Sequence, residues 1–369
     1  MIFPRRHDAL FFPSYLPRSI HKQRCSIRSP IGAGGKVVAY VARAVAFALL
    51  LGTSLLLLAT KAQAANLLFS SGFEGTTALN PPYGCWGTGC WQDIVGTDSS
   101  TGFTWPPNIW GGGSNFFLLA DAPVDAASIR DYMFNQILTV TGHKGTQTRT
   151  LYSQMTQSGC CGGDATQGQG ATSNDLLLQP ANEAGDLYIS YWFKFQPDLL
   201  QQLTPQNWRF LSSFKSAGDF RAAIDVVTWG NVAPYWLILG DNAAGALPYQ
   251  EFWRVENRSI EVPIGRWFKL EVFWHRSGNF TNNGGRYWVA VDGQPIADVS
   301  SGNLSNVICA PPCNTSMMGV SNAPIDRIFV SGNYGGGPYP MYYWLDDLQI
   351  WDGFPPANGN DPPYAPHQP

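Results

Sequence analysis

The stretch from Gly265 to Ser277, GRWFKLEVFWHRS, alternates without a break and constrains the fold more than any other feature. Trp267, Lys269, Glu271, Phe273 and His275 fall on one side of an extended chain, and Phe268, Leu270, Val272 and Trp274 on the other. A period of two belongs to a strand, and an apolar back with a mixed front belongs to a strand lying on a core. Similar short runs recur between Gly, Pro, Asn and Asp clusters, among them DLYISYWFKF, RAAIDVVTW, YWLILGD, RYWVAVDGQPIAD and YYWLDDLQIWDG. Such spacing predicts an all-β chain, a two-sheet antiparallel β-sandwich. Asp292-Gly293 between two extended runs predicts a hairpin turn. Gln196 to Gln206 reads as a helical turn or loop.

The N-terminus reads differently. Residues 1–43 carry eight Lys/Arg against the single Asp8, an apolar run follows from Ala44 to Thr60, and Ala62 to Ala64 reads AQA. Basic region, short apolar core and small-residue site together predict a secretory signal peptide over residues 1–64, and export to a periplasmic, secreted or cell-surface location. The 17-residue run is also near the lower limit for a spanning helix, so retention as an anchor stays open. The length of the basic region leaves the true start codon open as well.

Of 23 Lys/Arg and 26 Asp/Glu, nine and one lie within residues 1–64; the remaining 14 against 25 give a net charge of −11. That balance argues against nucleic acid and anionic membrane as partners. It leaves an anionic polysaccharide open, because 14 cations suffice to line one groove. The mature chain divides into a sandwich over 65–354 and a Pro-rich tail, 355–369, with no core to join, expected to be disordered. A monomer is expected. Six of seven cysteines lie beyond residue 64, an even count that suggests disulfides in an exported chain. The spacings CWGTGC and CAPPC favour small local loops, and the adjacent Cys160 and Cys161 favour separate partners.

The succession LYISYWFKFQPDLL, then GRWFKLEVFWHRS with GGRYWVAVDGQPIAD, then YYWLDDLQIWDGFP, resembles the concanavalin A-like lectin/glucanase superfamily in its polysaccharide-lyase-like branch. The resemblance spans Asn66 to Pro355 and implies a jelly roll whose concave sheet holds a glycan. It also implies structural calcium near the chain ends, held by Glu74 with Asp346 or Asp347 and nearby carbonyls, since first and last strands usually pair in such sandwiches; plain solvated or capping carboxylates are the alternative. Strict alternation would let only one of Asp346 and Asp347 face that site. Lyases of this fold carry Arg-x-Glu-x-Arg, Gln-Ile-His and Tyr-x-Lys-x-Gly strands. Here TQTRTLYSQM keeps only Arg149, AAIDVVTWG has Asp225 where a histidine strand is expected, and Tyr-x-Lys-x-Gly does not occur. The paired-carboxylate run of the retaining glucanases is missing too.

Cleavage of a uronic-acid glycan by β-elimination needs a cation to neutralise the carboxylate, a base for the C5 proton and an acid for the leaving oxygen. The candidates are Arg149 or Arg254 as neutraliser, with His275 and Tyr287 as base and acid. Lys215, Lys269 and Glu271 are candidate polar contacts. All 14 tryptophans lie beyond residue 64; most belong in a core, and Trp229, Trp236 and Trp288, beside polar turns, are the candidates for stacking on sugar rings. Three classes remain open: a lyase, a non-catalytic lectin-like binder, and a structural or adhesive surface protein. Convergence of His275, an Arg and a Tyr in one cleft would separate the first from the others.

Overall fold

The computed structural model describes residues 65–355 apart from 87–88, 110–112, 121–124, 157–172, 181–185, 204–207, 217–219, 231, 243–249, 277, 280–283, 310–312, 318–322 and 337–338. The expected signal peptide, all of the tail after Pro355, and Cys160 and Cys161 lie outside the described residues.

The chain forms an all-β sandwich. One sheet has eight strands, in spatial order β18 (Gln294–Ser300), β17 (Arg286–Val291), β16 (Trp267–His275), β11 (Leu187–Phe195), β21 (Met341–Trp351), β9 (Gln147–Met155) and β8 (Met133–Thr141), with β1 (Leu67–Ser71) also paired to β21. The other has ten: β19 (Val307–Ile308), β15 (Glu251–Asn257), β14 (Tyr235–Asp241), β13 (Arg221–Val227), β12 (Trp208–Ser216), β20 (Ile325–Gly336), β10 (Ser173–Gln179), β7 (Gly113–Leu119), β4 (Gly89–Gln92) and β3 (Tyr83–Trp86). A small third sheet joins β2 (Ala78–Leu79), β5 (Ile94–Thr97) and β6 (Thr104–Trp105). The pairings are antiparallel throughout. Two single-turn helices, α1 (Ile129–Tyr132) and α2 (Leu199–Gln202), complete the described elements, the second within the expected helical turn.

The opening strand behaves as its period dictates. Phe268, Leu270, Val272 and Trp274 of β16 are at most 1% exposed and point at the ten-stranded sheet. Trp236 of β14 meets Phe268 edge-on with ring centroids 5.9 Å apart, and Phe214 of β12 stacks on Trp274 at 5.4 Å. These rings join the two sheets. Burying one such side chain removes about 150–250 Å² from water, roughly 4–6 kcal/mol of transfer free energy. Gly240 of β14 lies under the Trp253 indole, where a Cβ would come within 2.4 Å of the ring, so the close approach of strand and ring requires glycine.

Three further expectations hold. Asp292 and Gly293, with φ of 47° and 74°, make the tight turn between β17 and β18. β1 pairs with β21, so the first and last strands lie side by side. Cys85–Cys90 and Cys309–Cys313 form local disulfides, compatible with an extracellular protein. Among the described residues no helix is long and apolar enough to cross a membrane.

Candidate functional site

The front of β16 lies on the outer face of the eight-stranded sheet, and it looks at its own chain. Glu271, 4% exposed, accepts a hydrogen bond from the Tyr188 hydroxyl at 2.6 Å, and Lys269 Nζ lies 3.7 Å from the same oxygen. The β8–β9 turn folds back over the neighbouring strand and lays the His143 imidazole flat on Trp192, with centroids 3.9 Å apart and planes 10° apart. At the other end Phe354 packs on Tyr188, Phe273 and Trp288, with centroids 5.1, 4.8 and 5.2 Å away. Trp288 is therefore 2% exposed, and the expectation that it stacks on a sugar is corrected: its ring serves a small apolar cluster.

The expected catalytic set does not converge. His275 bonds Asp186 through Nδ1; this hydrogen bond raises the histidine pKa against the opposing effect of burial. Tyr287 sits opposite Trp274, points into the core and is fully buried, which pushes its phenol far up. Its hydroxyl has no hydrogen-bond partner among the described residues. Arg149 ties down the loop after β1, its guanidinium bonding the carbonyls of Gly75 and Thr77. Arg254 belongs to the other sheet, 3.6 Å from both Glu251 and Glu256. Alternation along β16 and β17, and the separation of the two sheets, keep these four groups apart.

The chain ends meet as expected, but with a different ligand set. A bulge in β21, with Asp347 at φ 45°, breaks the alternation and turns both Asp346 and Asp347 toward His143. Ligand atoms of the three lie within 4.8 Å of one another. Asp347 Oδ2 receives His143 Nε2 at 2.8 Å and Lys144 Nζ at 3.0 Å. Burial, then the neighbouring Asp347, pushes the Asp346 carboxyl up to about 7. Burial outweighs Asp347 at His143, whose pKa is lowered. Glu74 lies near enough to raise the Asp346 pKa further, while its Oε1 accepts Thr148 Oγ1 at 2.8 Å and the Arg149 N–H at 2.9 Å. Calcium takes about 6–8 hard oxygens. Beside Asp346 and Asp347 stand an imidazole nitrogen and the Lys144 ammonium bonded to Asp347, which are not oxygen ligands.

The outer face of the ten-stranded sheet is built differently. Its middle is apolar, with Phe210, Ala223, Val227, Tyr235, Leu237 and Leu239 forming a second cluster flanked by Trp208 and Phe329. Asp225 lies among them, between Phe210 and Leu237 in register; burial pushes its carboxyl up to about 7. Toward one end, Arg327, Lys215, Arg221 and Asp241 stand in line on four adjacent strands. Arg221 grips Asp241 with two bonds, 3.1 and 2.7 Å. Arg258 stacks on Tyr235, its guanidinium carbon 3.6 Å from the ring centroid. Along the β3–β4 edge runs an aromatic stripe: Trp86, 56% exposed, lies 6.4 Å from Trp91, which lies 4.8 Å from Phe117.

Of the expected stacking residues, Trp229 is exposed in the turn after β13, whereas Trp236 is in the core at 0% exposure and cannot meet a ligand. Lys215 lies on the ten-stranded face, away from Lys269, Glu271 and His275. Trp86, Trp91, Phe117, Arg221, Arg327 and His143 did not emerge as site candidates from the sequence. A signal existed for one pair: in FKSAGDFRA, Lys215 and Arg221 flank a short hairpin and must face each other if it closes symmetrically.

No protein-family model matches the chain, and no curated protein matches it. Among solved structures, alginate lyase Aly36B aligns at 12% identity over 62% of this chain and 84% of its own, with a TM-score of 0.36. A mutant of that lyase in complex with alginate trisaccharide gives 11% identity, 58% and 83% coverage, and 0.36. The botulinum neurotoxin type G receptor binding domain gives 11% identity, 78% and 49% coverage, and 0.32. Likeness at these levels transfers no chemistry to this chain.

Proposed function

We propose that this chain is an exported glycan-binding sandwich that holds an extended sugar chain along the outer face of its ten-stranded sheet. The observation that carries the reading is the aromatic stripe Trp86, Trp91 and Phe117, half-open on the same face as Lys215, Arg221 and Arg327. Flat apolar rings beside hydrogen-bonding cations suit sugar rings, which present an apolar face and a polar rim. On the opposite outer face His143 covers Trp192 and Phe354 covers Trp288, while the half-open Tyr152, Tyr342 and Trp344 pack on one another with Lys194 over Trp344, away from the row of three cations. Lectin-like binding is favoured over β-elimination because His275, Tyr287, Arg149 and Arg254 do not share a cleft.

The test is affinity electrophoresis of the purified chain in gels carrying neutral or uronic-acid polysaccharides, with ultraviolet absorbance followed in parallel for the unsaturated product of elimination. Retardation by at least one glycan is expected, weakened about 10-fold by Trp91→Ala, with no rise in absorbance. No retardation on any glycan would overturn the reading in favour of a structural or adhesive protein. A rise in absorbance would convert it to a lyase.

A further inference from the structure

Among the described residues Lys215 is a half-buried ammonium in no ion pair. It sits on β12 with Arg221 of β13 and Arg327 of β20 as its direct cross-strand neighbours on the same face. Like charges directly opposite one another in a sheet are destabilising, and a buried charge is tolerated only when paired. Both arginines have other anchors. Arg221 is bonded twice to the fully buried Asp241 carboxylate. Arg327 donates to Asp326 Oδ1 at 3.3 Å and to the Ser216 carbonyl at 2.9 Å. Lys215 has neither an ion pair nor a hydrogen bond among the described residues. Burial, then Arg327 and Arg221, brings its pKa down to about 8, against the weaker pull of Asp175 and Asp241. The arginine side chains are 26% and 32% exposed, so the row is reachable from solvent.

We infer that Lys215, flanked by Arg221 and Arg327, is an oxyanion site that takes one carboxylate or sulfate group carried on the bound sugar chain. The inference rests on the glycan-binding reading and names the chemical class of glycan. The ammonium supplies the charge, and the two guanidiniums, held by other partners, supply fixed donors on either side. An oxyanion placed there removes the mutual repulsion of three cations and gives Lys215 the partner it lacks. The trait is notable in a mature chain of net charge −11, whose average field repels acidic polymers.

The experiment uses the purified chain with three polymers: polygalacturonate for carboxylate, dextran sulfate for sulfate ester, and dextran as neutral control. Wild type is expected to bind one of the charged polymers at least about 10-fold more tightly than dextran, with affinity falling as salt is raised. Lys215→Met is expected to lose about 10-fold or more toward that polymer, lose markedly less toward dextran, and raise the thermal midpoint by removing an unpaired charge. Inorganic sulfate at low concentration is expected to raise the midpoint of wild type by more than that of Lys215→Met, the difference exceeding the general stabilisation that sulfate gives any fold. Equal binding of dextran and the charged polymers, or a Lys215→Met protein with unchanged affinity or a lower midpoint, overturns the inference while leaving glycan binding intact. Stabilisation by sulfate with no binding of any polymer keeps the oxyanion site and overturns the glycan reading.

Discussion

Tyr287 and His275 lie one register step apart on β17 and β16 and leave the sheet on opposite faces. Tyr287 enters the core beside Phe214 and Trp253, with ring centroids 5.8 and 5.9 Å away, whereas His275 turns outward to Asp186. The buried hydroxyl therefore burdens the fold and cannot exchange a proton with a ligand outside. Tyr287→Phe removes an unpartnered polar group from the core, and unfolding in denaturant should show a gain of about 1 kcal/mol, with glycan retention unchanged. A loss of stability would mean that the hydroxyl is hydrogen-bonded.

The His275–Asp186 pair makes stability depend on pH. The hydrogen bond raises the folded pKa of His275 above its ordinary 6.5, so the pair stabilises the fold fully below that value and loses its effect as pH rises through the raised pKa. Asp186→Asn should lower the histidine pKa seen by NMR. It should lower the thermal midpoint at about pH 5 and leave it unchanged at about pH 9. A midpoint difference that persists at the higher pH would assign the effect to packing.

Period-two patterning made the strands and their buried faces readable, the Asp-Gly pair the turn at Asp292-Gly293, and the cysteine spacings two small local loops, because each depends on neighbours in sequence. It could not show what covers an outward face. Phe354 on Trp288 and His143 on Trp192 are long-range contacts between a strand and a turn or tail, and neither leaves a local signature. Strict alternation also sets Asp346 and Asp347 on opposite faces, whereas one bulge residue at φ 45° brings both to the same site. Trp236 was read as exposed from its nearness to a polar turn, yet it is the second residue of β14 and already faces Phe268. The row Arg327, Lys215 and Arg221 depends on strand order, which joins segments more than a hundred residues apart.

Asp225 should make the protein more stable in mild acid than at neutral pH. Its folded pKa of about 7 lies above the ordinary 3.8, so the folded state binds the proton more tightly, and stability falls as pH rises from about 4 to about 7 before levelling off. Asp225→Asn keeps the shape and stays uncharged. Relative to wild type it should gain on the order of 2–4 kcal/mol at about pH 8, shrinking toward zero below about pH 4. Parallel stability curves for the two proteins across that window would show that the carboxylate is ionised at little cost in the fold.

Phe354 acts as a cover for the eight-stranded sheet. Its ring is the common neighbour of Tyr188, Phe273 and Trp288, each of which is at most 4% exposed. Aromatic pairs of this kind contribute about 0.5–1.5 kcal/mol each beyond area burial, but Phe354 is itself only half-buried, which limits the cost of losing it. Phe354→Ala should cost roughly 1–3 kcal/mol in chemical denaturation. It should also speed hydrogen exchange in β16 and β17 and leave glycan retention unaltered, since the proposed binding face is on the other sheet. Unchanged stability with unchanged exchange would show that Tyr188, Phe273 and Trp288 are sealed without it. Weakened retention would instead move the glycan to the eight-stranded face and remove the case for the aromatic stripe at Trp86 and Trp91.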